Sequence, residues 1–300
     1  MTVAGPARRV LVTGASSGIG RATAHRLATE GARLVLVSRS VEVLEEVARE
    51  CTARGAAEVL VVPADVGDHA AVDAALATAV AAYDGIDGVV HAAGVAAYGR
   101  FQDVPPEVFE GVVRTNLVGT ANVARASLRV FEERGGGSLV LLGSVLGKIA
   151  TPWMSPYAVS KWGVAGLARS LQIEARRLPG TRVTLVSPGG VDTPIYDLAA
   201  TVTGHAGNPP PPVTTPERVA AACVRGLDQQ RRDVDVGRGN KLMVTGFRRL
   251  PGVFDRLVTP LMDRFGQDGR TKPATTGNVL APARGEAVRG RWPHVWGQLR

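Results

Sequence analysis

Cysteine is almost missing from these 300 residues, with Cys51 and Cys223 alone. Two thiols so far apart form neither a disulfide framework nor a metal-ligand cluster, so no metal is expected and both should be reduced thiols. No apolar run approaches the roughly 18 residues needed to span a bilayer, and Met1 to Arg9 lacks the apolar stretch of a secretory leader. Both absences point to a cytoplasmic protein. Acidic residues are short only toward the end: after residue 224, 15 Lys and Arg face 7 Asp and Glu, whereas before it the two classes balance. With aromatics at 5% and the excess charge confined to one end, a nucleic-acid partner is not expected. The basic end reads first as a solvated arginine surface, and only second as a seat for an anionic partner.

Short β-branched apolar runs alternate with alanine-rich amphipathic stretches over the first two thirds, the pattern of a doubly wound parallel α/β sheet. Strands are expected at Arg9–Thr13, Leu34–Ser38, Glu58–Pro63, Gly88–Ala92, Ser138–Gly143, Arg182–Ser187 and Val234–Val236. Helices are expected at Gly18–Glu30, Val41–Arg54, Asp68–Tyr83, Pro106–Arg134, Ser155–Leu178 and Pro216–Gln229. Thr201 to Pro216, with Pro209 to Pro212 in a row, reads as a mobile loop or lid. These patterns make residues 1–239 one catalytic domain. Residues 240–300 form a basic extension of short helices, interrupted at Pro251 and Pro260, with a loosely ordered end.

Between the first strand and the first helix lies Thr13-Gly14-Ala15-Ser16-Ser17-Gly18-Ile19-Gly20. Glycines in a strand-to-helix turn let backbone approach a pyrophosphate, and the helix N-terminus supplies free N–H groups. Arg39 follows the second strand, where a carboxylate would bind the ribose hydroxyls of NAD; an arginine there pairs with a 2′-phosphate, so NADP (NADPH) is the expected cofactor. Tyr157 and Lys161 lie four apart near a helix start, on one face. A lysine cation there should favour the phenolate and lower the tyrosine pKa. Ser144 ends the fifth strand, at the sheet edge where ligands bind in such folds.

The G-x-x-x-G-x-G and Y-x-x-x-K spacings resemble the short-chain dehydrogenase/reductase family over roughly residues 8 to 236. The resemblance implies a Rossmann-type fold, a homo-oligomer, and an oxidoreductase that interconverts a small-molecule carbonyl and an alcohol. It makes Asn116, Ser144, Tyr157 and Lys161 the catalytic set, with Ser144 holding the substrate oxygen, Tyr157 passing the proton and Asn116 leading protons through water to Lys161. Implied cofactor contacts are Gly14, Ser16, Ser17, Gly18, Ile19, Gly20, Ser38, Arg39, Asp65, Val66, Ala92, Ala93, Gly94, Tyr157, Lys161, Pro188, Gly189, Val191 and Thr193. One departure is His91-Ala92-Ala93-Gly94, where the family has Asn first; His91 is read as a structural replacement without acid/base work.

Val145, Leu146, Trp153, Met154, Ile195, Tyr196 and Leu198 should surround a hydrophobic substrate. Two other classes are a sensor of the NADP(H) state and a peripheral membrane lipid-type reductase. Retention of the catalytic set argues against the sensor. The membrane reading rests on Phe247, Leu250, Val253, Phe254, Leu257 and Val258 edged by Arg248, Arg249 and Arg256; core or oligomer interface is the favoured reading of that stripe.

Overall fold

The computed structural model describes residues 7–229, 231–282 and 287–292. Seven parallel strands form the central sheet: β1 (Arg9–Thr13), β2 (Arg33–Ser38), β3 (Glu58–Pro63), β4 (Gly88–His91), β5 (Gly137–Leu142), β6 (Thr181–Pro188) and β7 (Asp233–Val236). Their spatial order is β7-β6-β5-β4-β1-β2-β3, so the chain winds outward in both directions from β1 and leaves a crevice at its carboxyl edge. Each expected strand is present, with ends shifted by at most one residue.

Both faces of the inner strands are buried, which is why β1, β2, β4 and β5 are mostly apolar runs, whereas β7 at the sheet edge alternates as Asp-Val-Asp-Val. On one face, Leu11 and Val35 meet α3 (His69–Tyr83), α5 (Gly119–Arg134) and α6 (Ser155–Glu174). On the other, Val10, Val12, Leu34 and Leu36 meet α1 (Gly18–Thr29), α2 (Val41–Ala53) and α7 (Pro216–Asp228). Polar residues fix some of the helix starts: Asp68 accepts hydrogen bonds from the N–H groups of Ala70 and Ala71, and Thr215 from that of Arg218.

Three expectations need correction. The single helix over Pro106–Arg134 is α4 (Pro106–Val113) and α5, joined by a π turn at Arg114–Val118. The Thr201–Pro216 stretch contains short strands: His205–Gly207 pairs antiparallel with Gln267–Thr271, and Val213–Thr214 pairs with Gly190–Val191. The partner of the first lies at least sixty residues away, so no local pattern announces it.

The third concerns the end of the chain. Here α8 (Asn240–Arg249) is followed by α9 (Pro251–Phe265); Pro251 opens α9 as an N-terminal residue, but the helix runs through Pro260 at the loss of one backbone hydrogen bond. Beyond α9, the described residues are anchored rather than loose. Val279 and Trp292 are buried, Lys272 Nζ donates to the carbonyls of Asp197 and Ala199, and Arg289 pairs with Glu217. Residues 283–286 and 293–300 of that expected loose end lie outside the described residues.

Candidate active site and dinucleotide cleft

The glycine turn after β1 is built for close backbone approach. Gly14 has φ +66°, and a Cβ there would sit 2.6 Å from the Ala93 nitrogen. At Gly20 a Cβ would lie 2.1 Å from the Gly14 carbonyl oxygen, so this glycine packs behind the turn instead of facing the cleft. Ser17 precedes α1 without a side-chain hydrogen bond to cap it. Gly14, Ser16, Ser17, Gly18, Ile19, Ser38, Arg39, Asp65, Val66, Ala92, Ala93, Gly94 and Thr193 line one continuous cleft.

Tyr157, Lys161, Pro188, Gly189 and Val191 line a second, apolar cavity of about 320 Å³, which shares Ile19, Ala92, Gly94, Thr193 and Ile195 with the first. Ser144, Tyr157 and Lys161 therefore line the apolar cavity that adjoins the polar cleft. Ser144 caps a short 3-10 turn, its Oγ accepting from the Leu146 N–H at 3.1 Å, and it hydrogen-bonds Tyr157. Lys161 is 4% exposed, donates to the Leu142 carbonyl at 2.8 Å, and its Nζ lies 5.7 Å from the centre of the Tyr157 ring.

Burial governs both titrations. It lowers Lys161 to about 8. The Tyr157 phenol is pushed up to about 12 by burial, only partly offset by the Ser144 hydrogen bond. The expected lysine-induced lowering of Tyr157 is thus corrected: desolvation of the phenolate dominates, and what opposes it is the Ser144 hydrogen bond. The pair is a neutral phenol beside an ammonium at neutral pH.

Asn116 sits in the π turn, fully buried, with all of its amide engaged. Its Oδ1 accepts from the Val95 N–H, and its Nδ2 donates to the Val95 carbonyl and to Ser160 Oγ at 2.9 Å. Ser160 Oγ in turn donates to the Tyr157 carbonyl at 2.7 Å. Asn116 therefore braces the turn that carries Tyr157, and a Cβ at Gly94 would lie 3.3 Å from its Oδ1 and 3.9 Å from Lys161 Nζ. His91 bridges β4 and β1 through Nδ1 and Thr13 Oγ1 at 2.8 Å; burial, then the Lys161 charge, lowers it to about 3. It is neutral at working pH, as a structural histidine should be.

Two pocket expectations fail. Trp153 turns away from the cavity, its Nε1 donating to Asp263 at 3.0 Å and its ring under Arg100, and Leu198 lines the cofactor cleft instead. Sequence reasoning also missed a strap formed by the described residues after α9. Asn278 and Pro282 line the polar cleft; the Asn278 carbonyl accepts from Arg39 Nη2 at 2.7 Å, and the Ala287 carbonyl accepts from the Gly18 N–H at 3.0 Å. Buried Asn278 Oδ1 has no hydrogen-bond partner among the described residues. No local signal marks these residues, whereas the apolar stripe of α9, which walls the second cavity, was visible as a stripe.

Comparison with known proteins agrees with this fold. The oxidoreductase YxnA of Bacillus subtilis is 31% identical over 256 residues, covering 84% of this chain and 72% of that protein. Among solved structures, levodione reductase is 30% identical with a TM-score of 0.69, covering 78% of this chain and 98% of its own. Actinorhodin polyketide ketoreductase, solved with NADPH, is 30% identical with a TM-score of 0.70 over 78% of this chain and 97% of its own. The short chain dehydrogenase model matches residues 8–201, and the chain belongs to that family of oxidoreductases.

Proposed function

We propose that this oxidoreductase is an NADP(H)-dependent reductase of hydrophobic carbonyl compounds, with Tyr157 as proton donor. The observation that carries the reading is that Ser144, Tyr157 and Lys161 line the apolar cavity, which shares Ala92, Gly94 and Thr193 with the glycine-lined cleft. Gly14 and Gly20, where a Cβ would strike backbone, fit a dinucleotide cradle, and Arg39 beside Asn278 fits a 2′-phosphate. When bound, the nicotinamide supplies the hydride. Pro188, Gly189, Val191 and Thr193 would hold the nicotinamide end, and the glycine turn with Asp65-Val66 the other end.

Ser144 and Tyr157 bind the carbonyl oxygen, and the neutral phenol gives it the proton as negative charge develops there. Lys161, cationic below about pH 8, steadies the resulting phenolate. Asn116 keeps the Tyr157 turn in place through Ser160. A phenol held protonated to about 12 suits the direction of reduction. Levodione reductase and the NADPH-bound polyketide ketoreductase support carbonyl reduction by likeness.

Fluorescence titration with NADPH and NADH tests the cofactor half. NADPH should bind at least about tenfold tighter, and Arg39→Ser should erase that preference. Equal binding of both cofactors by the unaltered protein would overturn the assignment of Arg39. A panel of ketones graded by chain length then tests the substrate class, with lipophilic members expected to have the higher kcat/KM.

A further inference from the structure

The two apolar edges of α9 have different fates. Phe254, Val258 and Met262, four residues apart, pack on the cluster around Tyr98 and Met154. The adjacent edge, Val253, Leu257 and Leu261 with Leu250 just before the helix, is exposed by 52%, 64%, 44% and 59% respectively. Yet both edges line the substrate cavity. The cavity wall therefore continues outward as an exposed leucine-rich face, and the mouth of the cavity lies on that face. A contiguous apolar surface of this kind on a soluble fold marks a docking site.

Charge narrows the occupant. Between residues 240 and 265 stand Lys241, Arg248, Arg249, Arg256 and Arg264 against only Asp255 and Asp263. Asp263 accepts from the Trp153 indole. Arg248, Arg249 and Arg256 form no ion pair among the described residues. A second copy of this chain meeting the same face about a two-fold axis would bring these arginines toward their own counterparts. An anionic bilayer instead matches apolar edge and arginines together, as for helices that lie in the plane of the interface. No helix of the described residues is long and apolar enough to cross a membrane, so contact by α9 would be in-plane.

We propose that α8 and α9 dock this enzyme on an anionic membrane surface, so that a lipophilic ketone or secondary alcohol carrying a long aliphatic chain enters the apolar cavity directly from the bilayer. A substrate of that class is scarce in water and concentrated in lipid, and a cavity mouth on the docking face spares its transfer through solvent. The substrate clause rests on the reductase reading; the docking clause rests on the helix face alone.

The test is sedimentation of the full-length protein, without cofactor, with phosphatidylcholine vesicles containing or lacking phosphatidylglycerol. Binding is expected to the anionic vesicles and to weaken with salt. Leu250→Asn with Leu257→Asn should weaken it by on the order of tenfold per residue. Arg248→Ser, Arg249→Ser and Arg256→Ser together should weaken it by about a hundredfold at low salt while leaving NADPH binding unchanged.

These arginines are exposed, so that variant keeps the test sharp should the leucine variant misfold. Absence of vesicle binding, or binding indifferent to both variants, overturns the proposal. So does a dimer that the leucine variant dissociates without any vesicle binding. Tyr157→Phe protein should bind vesicles as well as the unaltered chain does, so loss of the reductase reading and loss of docking are read separately. With docking upheld, turnover of a vesicle-borne long-chain ketone should fall in the arginine variant and turnover of a short water-soluble ketone should not; equal effects on both overturn the entry route.

Discussion

His91 offers a quantitative check on the interior of the site. Its ring is 1% exposed, and its pKa falls from 6.5 in the unfolded chain to about 3 in the fold, by burial first and by the Lys161 charge second. As pH falls below 6.5 the unfolded chain takes up this proton and the native state does not, so stability is lost down to about pH 3. Each unit corresponds to roughly 1.4 kcal/mol, giving about 3 kcal/mol by pH 4.5 and about 5 kcal/mol in all. His91→Asn has no proton to gain and retains a group able to bond Thr13. Urea unfolding of both proteins across this range, followed by tryptophan fluorescence, should show their stability difference moving in the variant's favour by about 1.4 kcal/mol per unit below pH 6.5. A difference that stays flat from neutral pH to about pH 4.5 refutes the claim that the fold keeps His91 neutral.

Other expectations concern the cleft. Gly20→Ala would press a Cβ against the Gly14 carbonyl at 2.1 Å, and it should cost about 1–3 kcal/mol of stability and about a hundredfold in NADPH affinity by calorimetry. Cofactor affinity unchanged in that variant would remove the cradle from the account. Lys161, lowered to about 8, should set the alkaline limit of reduction: kcat/KM should fall about tenfold per pH unit above it, and a flat profile to about pH 10 contradicts this. Asn278→Ala should leave the circular dichroism spectrum unchanged and NADPH affinity within about twofold, because the main-chain carbonyl that meets Arg39 remains and the buried Oδ1 it removes has no partner among the described residues; a loss of about tenfold would make that side chain a cofactor contact.

The sheet was legible because strands covered on both faces, such as Leu34–Ser38, are unbroken apolar runs with turn residues at their ends. The glycine turn and the Tyr157–Lys161 pair were legible because their chemistry depends on short spacing. What escaped depends on distance. The π turn is associated with Asn116 reaching across to Val95, twenty-one residues away, and helical periodicity alone reads straight through it. The strap over the cleft joins Arg39 to Asn278 across 239 positions. The Tyr157 pKa was misjudged for the same reason, since desolvation comes from the surrounding fold and spacing reports only the nearby lysine.

The central claim is that Tyr157 delivers the proton while the rest of the site binds. Its most direct test is Tyr157→Phe under NADPH saturation, with a lipophilic ketone that the unaltered enzyme reduces, measuring kcat alongside cofactor affinity. The account predicts a kcat at least about a hundredfold lower with NADPH affinity within about twofold. Turnover undiminished in that variant would contradict it.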